Sequence, residues 1–248
     1  ARAALGMGGR QQRAHLVFDS EVVRLLEEAR EALEASGARG TGEAPEASDS
    51  PLRARVLARL AYSLYVQPGS YPRRASLCRQ AVEMARRIGD PTTLRWVLND
   101  SRWALWGPDT IDERLAIAAE LVRLAEQLGD PEMALGEHSW RMVDLLERGD
   151  RLGFDAELET YIRTARQHPR PWFEWYIWRF EGMRALLQGR FAEAERCAET
   201  GLAAIKRTQH QDALLIYGTQ LLALRFEQGR AAEIEPAAAP QVVSAPEP

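Results

Sequence analysis

Four histidines, two cysteines, scattered acidic pairs and one dense aromatic run are the side chains of this sequence with the means to do chemistry. A zinc or iron site needs imidazoles and carboxylates converging at helix-turn spacing. His15, His138, His168 and His210 show no H-x-x-x-H pattern and no paired carboxylate on a common helical face. Cys78 and Cys197 form no C-x-x-C, and neither has an evident histidine to take its proton. There is no G-x-S-x-G and no G-x-x-x-x-G-K-[ST]; Lys206, the one lysine, follows "GLAAI" inside a helical pattern. Acidic neighbours such as Glu27-Glu28 and Glu193/Glu195 fall on charged helix surfaces and read as solvated. The expectation is no catalytic residue, no metal and no cofactor.

What remains is recognition chemistry. The stretch "RPWFEWYIWRFEG", residues 170–182, places three tryptophans, two phenylalanines and a tyrosine between positions 172 and 180. At about 100° per residue, Trp172, Phe173, Tyr176, Phe180, Met183 and Leu187 share one broad face. Trp175 and Trp178 lie outside it with Leu186, and Glu174 and Glu181 mark the one clearly polar strip. A helix apolar most of the way round is held between neighbours, so the broad face reads as core. Trp175 and Trp178 are either core or rigid anchors facing a groove. "WALWGPD" adds Trp103 and Trp106, the latter expected against the Gly107-Pro108 turn, and Trp140 follows with His138 and Arg141 nearby.

The elements that carry these residues announce themselves by their turns. Gly89-Asp90-Pro91 and Gly129-Asp130-Pro131 stand 40 residues apart, and the same register meets Pro51 and Pro171. Glycine ends a helix in the left-handed conformation, Asp or Ser caps the next, and proline at the first helical position forfeits no hydrogen bond. Gly149, Gly189 and Gly229 form an interleaved series at the same spacing, extended backward by Asp109 and Gly69. Between turns lie stretches of about 16 residues with helical apolar spacing, as in Ile117, Leu121, Leu124 and Leu128. The predicted pairs are 51–66/72–88, 91–106/111–128, 131–147/153–167 and 172–188/191–207, then a last helix at 211–228.

A fixed period of this size implies a solenoid. The fold class expected is all-α, a right-handed α-solenoid of antiparallel helix pairs. Residues 1–36 read as a helical segment ending a preceding module, 37–50 as a linker, 51–235 as the repeat domain and 236–248 as a Pro/Ala-rich tail. The chain opens on "ARAALGMGG" without an initiator methionine and reads as a piece of a longer polypeptide. In the 40-residue register Asn99, Ser139, Arg179 and Thr219 are equivalent and all polar, which suggests a wet stripe along a concave surface. The candidate binding residues there are Asn99, Trp140, Arg141, Trp175 and Arg179; Arg95, Asp100 and Asp144 share those helices.

The formal charge of −4 gives no general attraction to nucleic acid or anionic lipid. The densest arginines, Arg53, Arg55, Arg59, Arg73, Arg74, Arg79, Arg86 and Arg87, are interleaved with few aromatics, so direct nucleic-acid contact is not expected. The flanks of the aromatic run are not basic enough for a membrane surface, so no membrane is expected. No apolar run is long enough to span a bilayer. The two cysteines fall on helices three repeats apart, beyond disulfide reach, and are expected as free thiols in the cytoplasm.

"LLQGRFAEAERCAETGLAAIKR" resembles the second half of a tetratricopeptide repeat, with Gly189, Phe191 and Ala194 at the turn between helices. The longer period with "ARRIGDP" and "AEQLGDP" corners is similar to the helical-repeat region of large bacterial signal-transduction ATPases. These include LuxR-type and maltose-regulator-like transcription regulators and some cyclase-linked ATPases. "ALWGPDTIDERLAIAAELVRLAEQLGDPE" is the most specific part, and the resemblance covers residues 51 to about 235. It implies a non-catalytic sensor or partner-binding arm that takes a protein, peptide or small effector. The attached ATPase or DNA-binding module would lie outside this chain, which has no phosphate loop of its own. The alternatives are a structural spacer or oligomerisation arm, and an enzyme with its chemistry in the groove.

Overall fold

The computed structural model describes Leu5 and residues 19–38, 49–206 and 213–233. Most of the expected linker, the 236–248 tail, His15, His210 and positions 211–212 lie outside the described residues. Every regular element among the described residues is helical, so the fold is all-α. In chain order α1 is Ser20–Ala38, α2 Pro51–Ser63, α3 Tyr71–Ile88, α4 Pro91–Ala104, α5 Ile111–Leu128, α6 Pro131–Glu147, α7 Arg151–Gln167, α8 Pro171–Leu187, α9 Phe191–Lys206 and α10 Ala213–Glu227.

The turn chemistry works as the register demands. Ser50 accepts from the Arg53 N–H at 3.2 Å. Asp90 accepts from Thr92 N–H at 3.3 Å and Thr93 N–H at 2.9 Å, and Asp130 from Met133 N–H at 3.0 Å. Pro51, Pro91 and Pro131 each follow their cap, where a missing N–H costs nothing. Gly89 and Gly129 close the preceding helices at φ 72° and 63°, a backbone that a side chain with Cβ resists. The fourth corner differs: Arg170 has the extended cap backbone before Pro171 but makes no side-chain cap bond.

Two compact units are present, Ala1–Arg151 and Leu152–Pro248. In the first, α2 packs on α3 and α4, α4 on α5, and α5 on α6. Its core is aliphatic and rich in alanine: Ala54, Ala58 and Ala61 on α2 and Ala81 and Ala85 on α3 are fully or almost fully buried, which lets the helix backbones approach. α1, which precedes the 37–50 stretch, packs in this unit. Leu26 is wholly buried with Ala29 beside it, and Glu27 pairs with Arg73 of α3. Burying one leucine is worth roughly 1.5–3 kcal/mol, which holds α1 on the unit.

In the second unit α8 packs on α9 and α9 on α10. Rings join α7 to α8, Phe154 to Phe180 at 6.2 Å and Tyr161 to Tyr176 at 6.4 Å. Gly201 lets α9 close on α8: a Cβ there would lie 3.1 Å from the Trp178 Cβ and 3.2 Å from the Trp175 ring. No helix among the described residues is long and apolar enough to cross a membrane.

Candidate functional site

The charged and aromatic residues of the first unit converge where α2, α4 and α6 come together. Trp103 of α4 sits 4.8 Å from Trp140 of α6 and 5.7 Å from Trp106, which stacks on it. Trp106 also meets the edge of Trp140 at 5.6 Å. Tyr62 and Tyr65, at the end of α2, approach Trp103 at 6.3 and 5.9 Å. All five rings are half-buried. Trp106 therefore packs in a ring cluster rather than simply on the Gly107 turn.

Behind the rings lie cations. The Arg102 guanidinium stands 4.6 Å over Trp140, and Arg114 stands 4.4 Å over Trp106. A cation desolvated on a ring face is worth about 2 kcal/mol. Each arginine is also ion-paired: Arg102 with Glu137 at 2.5 Å, and Arg114 with Asp144 at 2.8 Å and with Glu147. Arg102, Arg114, Glu137 and Asp144 are all buried. Arg74 of α3 lies over Tyr65 and Tyr71 and donates to the Trp106 carbonyl at 3.1 Å. Arg59 pairs with buried Asp100 at 2.9 Å and lies over Tyr62.

Burial sets the protonation behaviour. It pushes the Asp144 carboxyl up to about 6, against the pull of Arg114 and Arg102 and with help from Glu147 and Glu137. Burial likewise raises Glu137 and Asp100, partly opposed by Arg102 and Arg59 respectively. The Cys78 thiol is pushed up to about 11 by burial, so it stays protonated at neutral pH and is a poor nucleophile. Both cysteines are free and buried. Among the described residues no group of three or more His, Cys, Asp or Glu side chains is placed to hold a metal ion.

The sequence-predicted residues divide between this cluster and the second unit. Trp140 is in the cluster. Asn99 is half-buried on α4, its amide 3.5 Å from the Asp100 carboxylate, and Arg141 is half-buried on α6. Ser139 is buried and its hydroxyl donates to the Gly136 carbonyl, so the polar stripe is not continuous even within this unit. Trp175 corrects the groove expectation. It is 1% exposed, packed with Ile205 and Ala213 against Trp172 and Tyr176, because α9 and the start of α10 cover the side that the helical projection left open. Leu187, placed on the core face by the same projection, is 61% exposed.

Trp178 takes the other course. It lines a cavity of about 490 Å³ with Ile162, Arg166, Glu174, Ile177 and Glu193. Arg179 lines a smaller one, about 230 Å³, between α8 and α10. The dense arginines of the first pair are largely neutralised, Arg79 by Glu113, Arg86 by Glu120 and Arg87 by Asp49.

Arg102, Arg114 and Glu137 were not singled out from sequence, although a signal exists. In the 40-residue register Glu137 occupies the position of Leu57, Val97 and Ile177, and an acid where the other repeats are aliphatic marks a buried partner. No protein-family model and no curated protein sequence matches the chain.

Proposed function

We propose that this chain is a non-catalytic helical-repeat binding module whose first unit recognises a protein or peptide segment on the ring cluster of Tyr62, Trp103, Trp106 and Trp140. The observation that carries the reading is that these rings are half-buried yet fixed from behind by ion-paired Arg102 and Arg114. Rigid aromatic edges with little conformational freedom left to lose are the side chains that anchor interfaces. Asn99 and Arg141, half-buried on the same two helices, would supply polar contacts at the rim. The 40-residue register and the "ARRIGDP" and "AEQLGDP" corners support a role as the sensor or regulatory arm of a larger bacterial signalling ATPase or transcription regulator. A phosphate-binding loop in the complete reading frame would be the supporting finding, and a frame without one would remove the parent architecture.

The binding reading is tested by selecting a random 16-residue peptide library against the chain. The expected peptides bind wild type saturably and lose at least tenfold in affinity for Trp140→Ala and for Asn99→Arg at the rim. Failure to enrich any binder, or binders indifferent to both substitutions, removes it. A second reading, a spacer or oligomerisation arm, rests on α10, which leaves Leu214 at 67% and Phe226 at 70% exposure. Concentration-dependent sedimentation that Phe226→Glu abolishes would favour that arm.

A further inference from the structure

The crevice between α8 and α10 has a chemistry of its own. Met183 and Leu186 of α8 form one wall, Ile216, Ala223 and Leu224 of α10 the other, and Ala194 and Ala198 of α9 the floor. The floor is kept low by alanine, which leaves a space of about 230 Å³. Arg179 lies level with Thr219 in the repeat register, with Ile216 before it and Met183, Leu186, Ala223 and Leu224 beyond it along the crevice.

Arg179 differs from the arginines around it. Arg184 pairs with Glu181 at 2.5 Å, and Arg225 with Glu195. In the first unit Arg59 and Arg95 have Asp100 and Asp130. Among the described residues no carboxylate lies within ion-pair distance of Arg179. Its guanidinium is seated on the Tyr176 and Phe180 rings at 5.5 and 5.6 Å, and its Nε is buried without a hydrogen-bond partner. A guanidinium offers five donors in a fork that matches a carboxylate. The buried Nε is the donor left unanswered here, and a carboxylate from solution reaching the crevice end of the fork would answer it.

We propose that this crevice binds a medium-chain amphiphilic carboxylate, its head on Arg179 and its alkyl chain running between α8 and α10 toward Leu186 and Leu224. The volume corresponds to about eight water-sized groups, which suits a chain of about eight carbons. An alkyl chain fits better than a peptide. A peptide brings an N–H and a C=O at every residue, each needing a partner when buried. The walls supply almost none, and the Gln220 side-chain amide is already engaged with the Arg179 carbonyl at 3.2 Å. The larger cavity beside Trp178 carries no such direction, because Arg166 and Arg170 share its lining with Glu174, Glu181 and Glu193. The site lies wholly in the second unit and does not depend on the ring cluster of the first.

The test is calorimetric titration of the full chain at pH 7 with sodium octanoate, octylamine hydrochloride and sodium butyrate. The expected result is saturable one-to-one binding of octanoate, at least tenfold tighter than the amine or the short acid. Arg179→Gln should weaken octanoate at least tenfold, while Arg179→Lys keeps part of the affinity. Ala223→Phe, at an exposed position on the wall, should abolish binding with unchanged far-ultraviolet circular dichroism. Absent or non-saturable octanoate binding, equal binding of octylamine, or affinity untouched by Arg179→Gln or by Ala223→Phe would each overturn the proposal.

Discussion

One backbone repeat carries two different interiors. Every buried polar or charged side chain among the described residues falls in the first unit, and the second buries rings, aliphatics and the Cys197 thiol. A single register position shows the contrast. Arg74, Arg114, Phe154 and Ala194 stand 40 residues apart and all are buried, as two cations on aromatic rings in the first unit and as a ring and a methyl in the second. The helix geometry therefore tolerates either filling. Since buried ion pairs seldom outperform apolar packing in stability, what the first unit gains is fixed orientation. Arg102 and Arg114 hold Trp140 and Trp106 at set angles, as the proposed recognition surface would require.

The sharpest way to break that contrast is to remove a cation. Arg114→Met should destabilise the chain by about 3–5 kcal/mol, because Asp144 is left buried without its partner. Urea denaturation should show that Arg114→Met with Asp144→Leu is less damaged than the single change. Arg184→Met in the second unit is the control: that arginine is 24% exposed and its loss should cost less than about 1 kcal/mol. Equal losses at the two sites would mean that the first unit's network has no special standing.

Trp175→Ala probes the other interior. The ring is 1% exposed and fills the space between Tyr176, Ile205 and Ala213, so its removal should cost about 3–5 kcal/mol in urea melts. A near-neutral result would return Trp175 to the list of surface anchors.

Much of this was legible in the sequence, for reasons of local chemistry. Helix bounds follow from prolines, caps and glycines, which act within four residues, and Pro91–Ala104 and Ile111–Leu128 fall close to the expected 91–106 and 111–128. The fate of Trp175 was not legible, because a helical projection shows which side of α8 a residue takes and not which neighbour covers that side. Ile205 and Ala213 lie 30 and 38 residues further along. The ionic network escaped for the same reason: Arg102 and Glu137 are 35 residues apart. The packing of α1 on the first unit was not legible either, because "SGARGTGEAPEASDS" describes the connection and not where the helix before it docks.

Protonation offers a gentler probe of the first unit. Asp144 has its carboxyl raised from 3.8 to about 6, so the folded chain holds that proton more tightly than the unfolded one. Its contribution is then fully present below pH 4 and is lost as pH rises through about 6. Asp144→Asn should flatten the fall in stability between pH 4 and 6 by about 1–3 kcal/mol relative to wild type. A wild-type profile with the same slope as the variant would show that Asp144 ionises in the fold as freely as in the unfolded chain.

The smallest expected effects lie at the corners, where the two units also differ. Ser50, Asp90 and Asp130 cap their helices, while Arg170 occupies the equivalent position uncapped. The backbone is not the obstacle: Arg170 has φ −140° and ψ 142°, against −146° and 147° at Ser50. Arg170→Ser should therefore supply the missing acceptor and stabilise the chain by about 0.5–1 kcal/mol. Asp90→Ala should act in the opposite direction and lower the urea midpoint. The two changes also differ in pH dependence. Hydrogen bonds from the Thr93 hydroxyl and N–H hold the Asp90 carboxyl below its ordinary value of 3.8. The benefit of Asp90 is thus present above that value and fades as pH falls through the lower folded one, so the Asp90→Ala deficit should shrink in acid. A serine hydroxyl does not titrate there, and the gain from Arg170→Ser should stay constant across the same range. If Arg170→Ser gains nothing while Asp90→Ala loses stability, the contacts Arg170 already makes are as good as a cap, and the corner contrast between the units is one of sequence only.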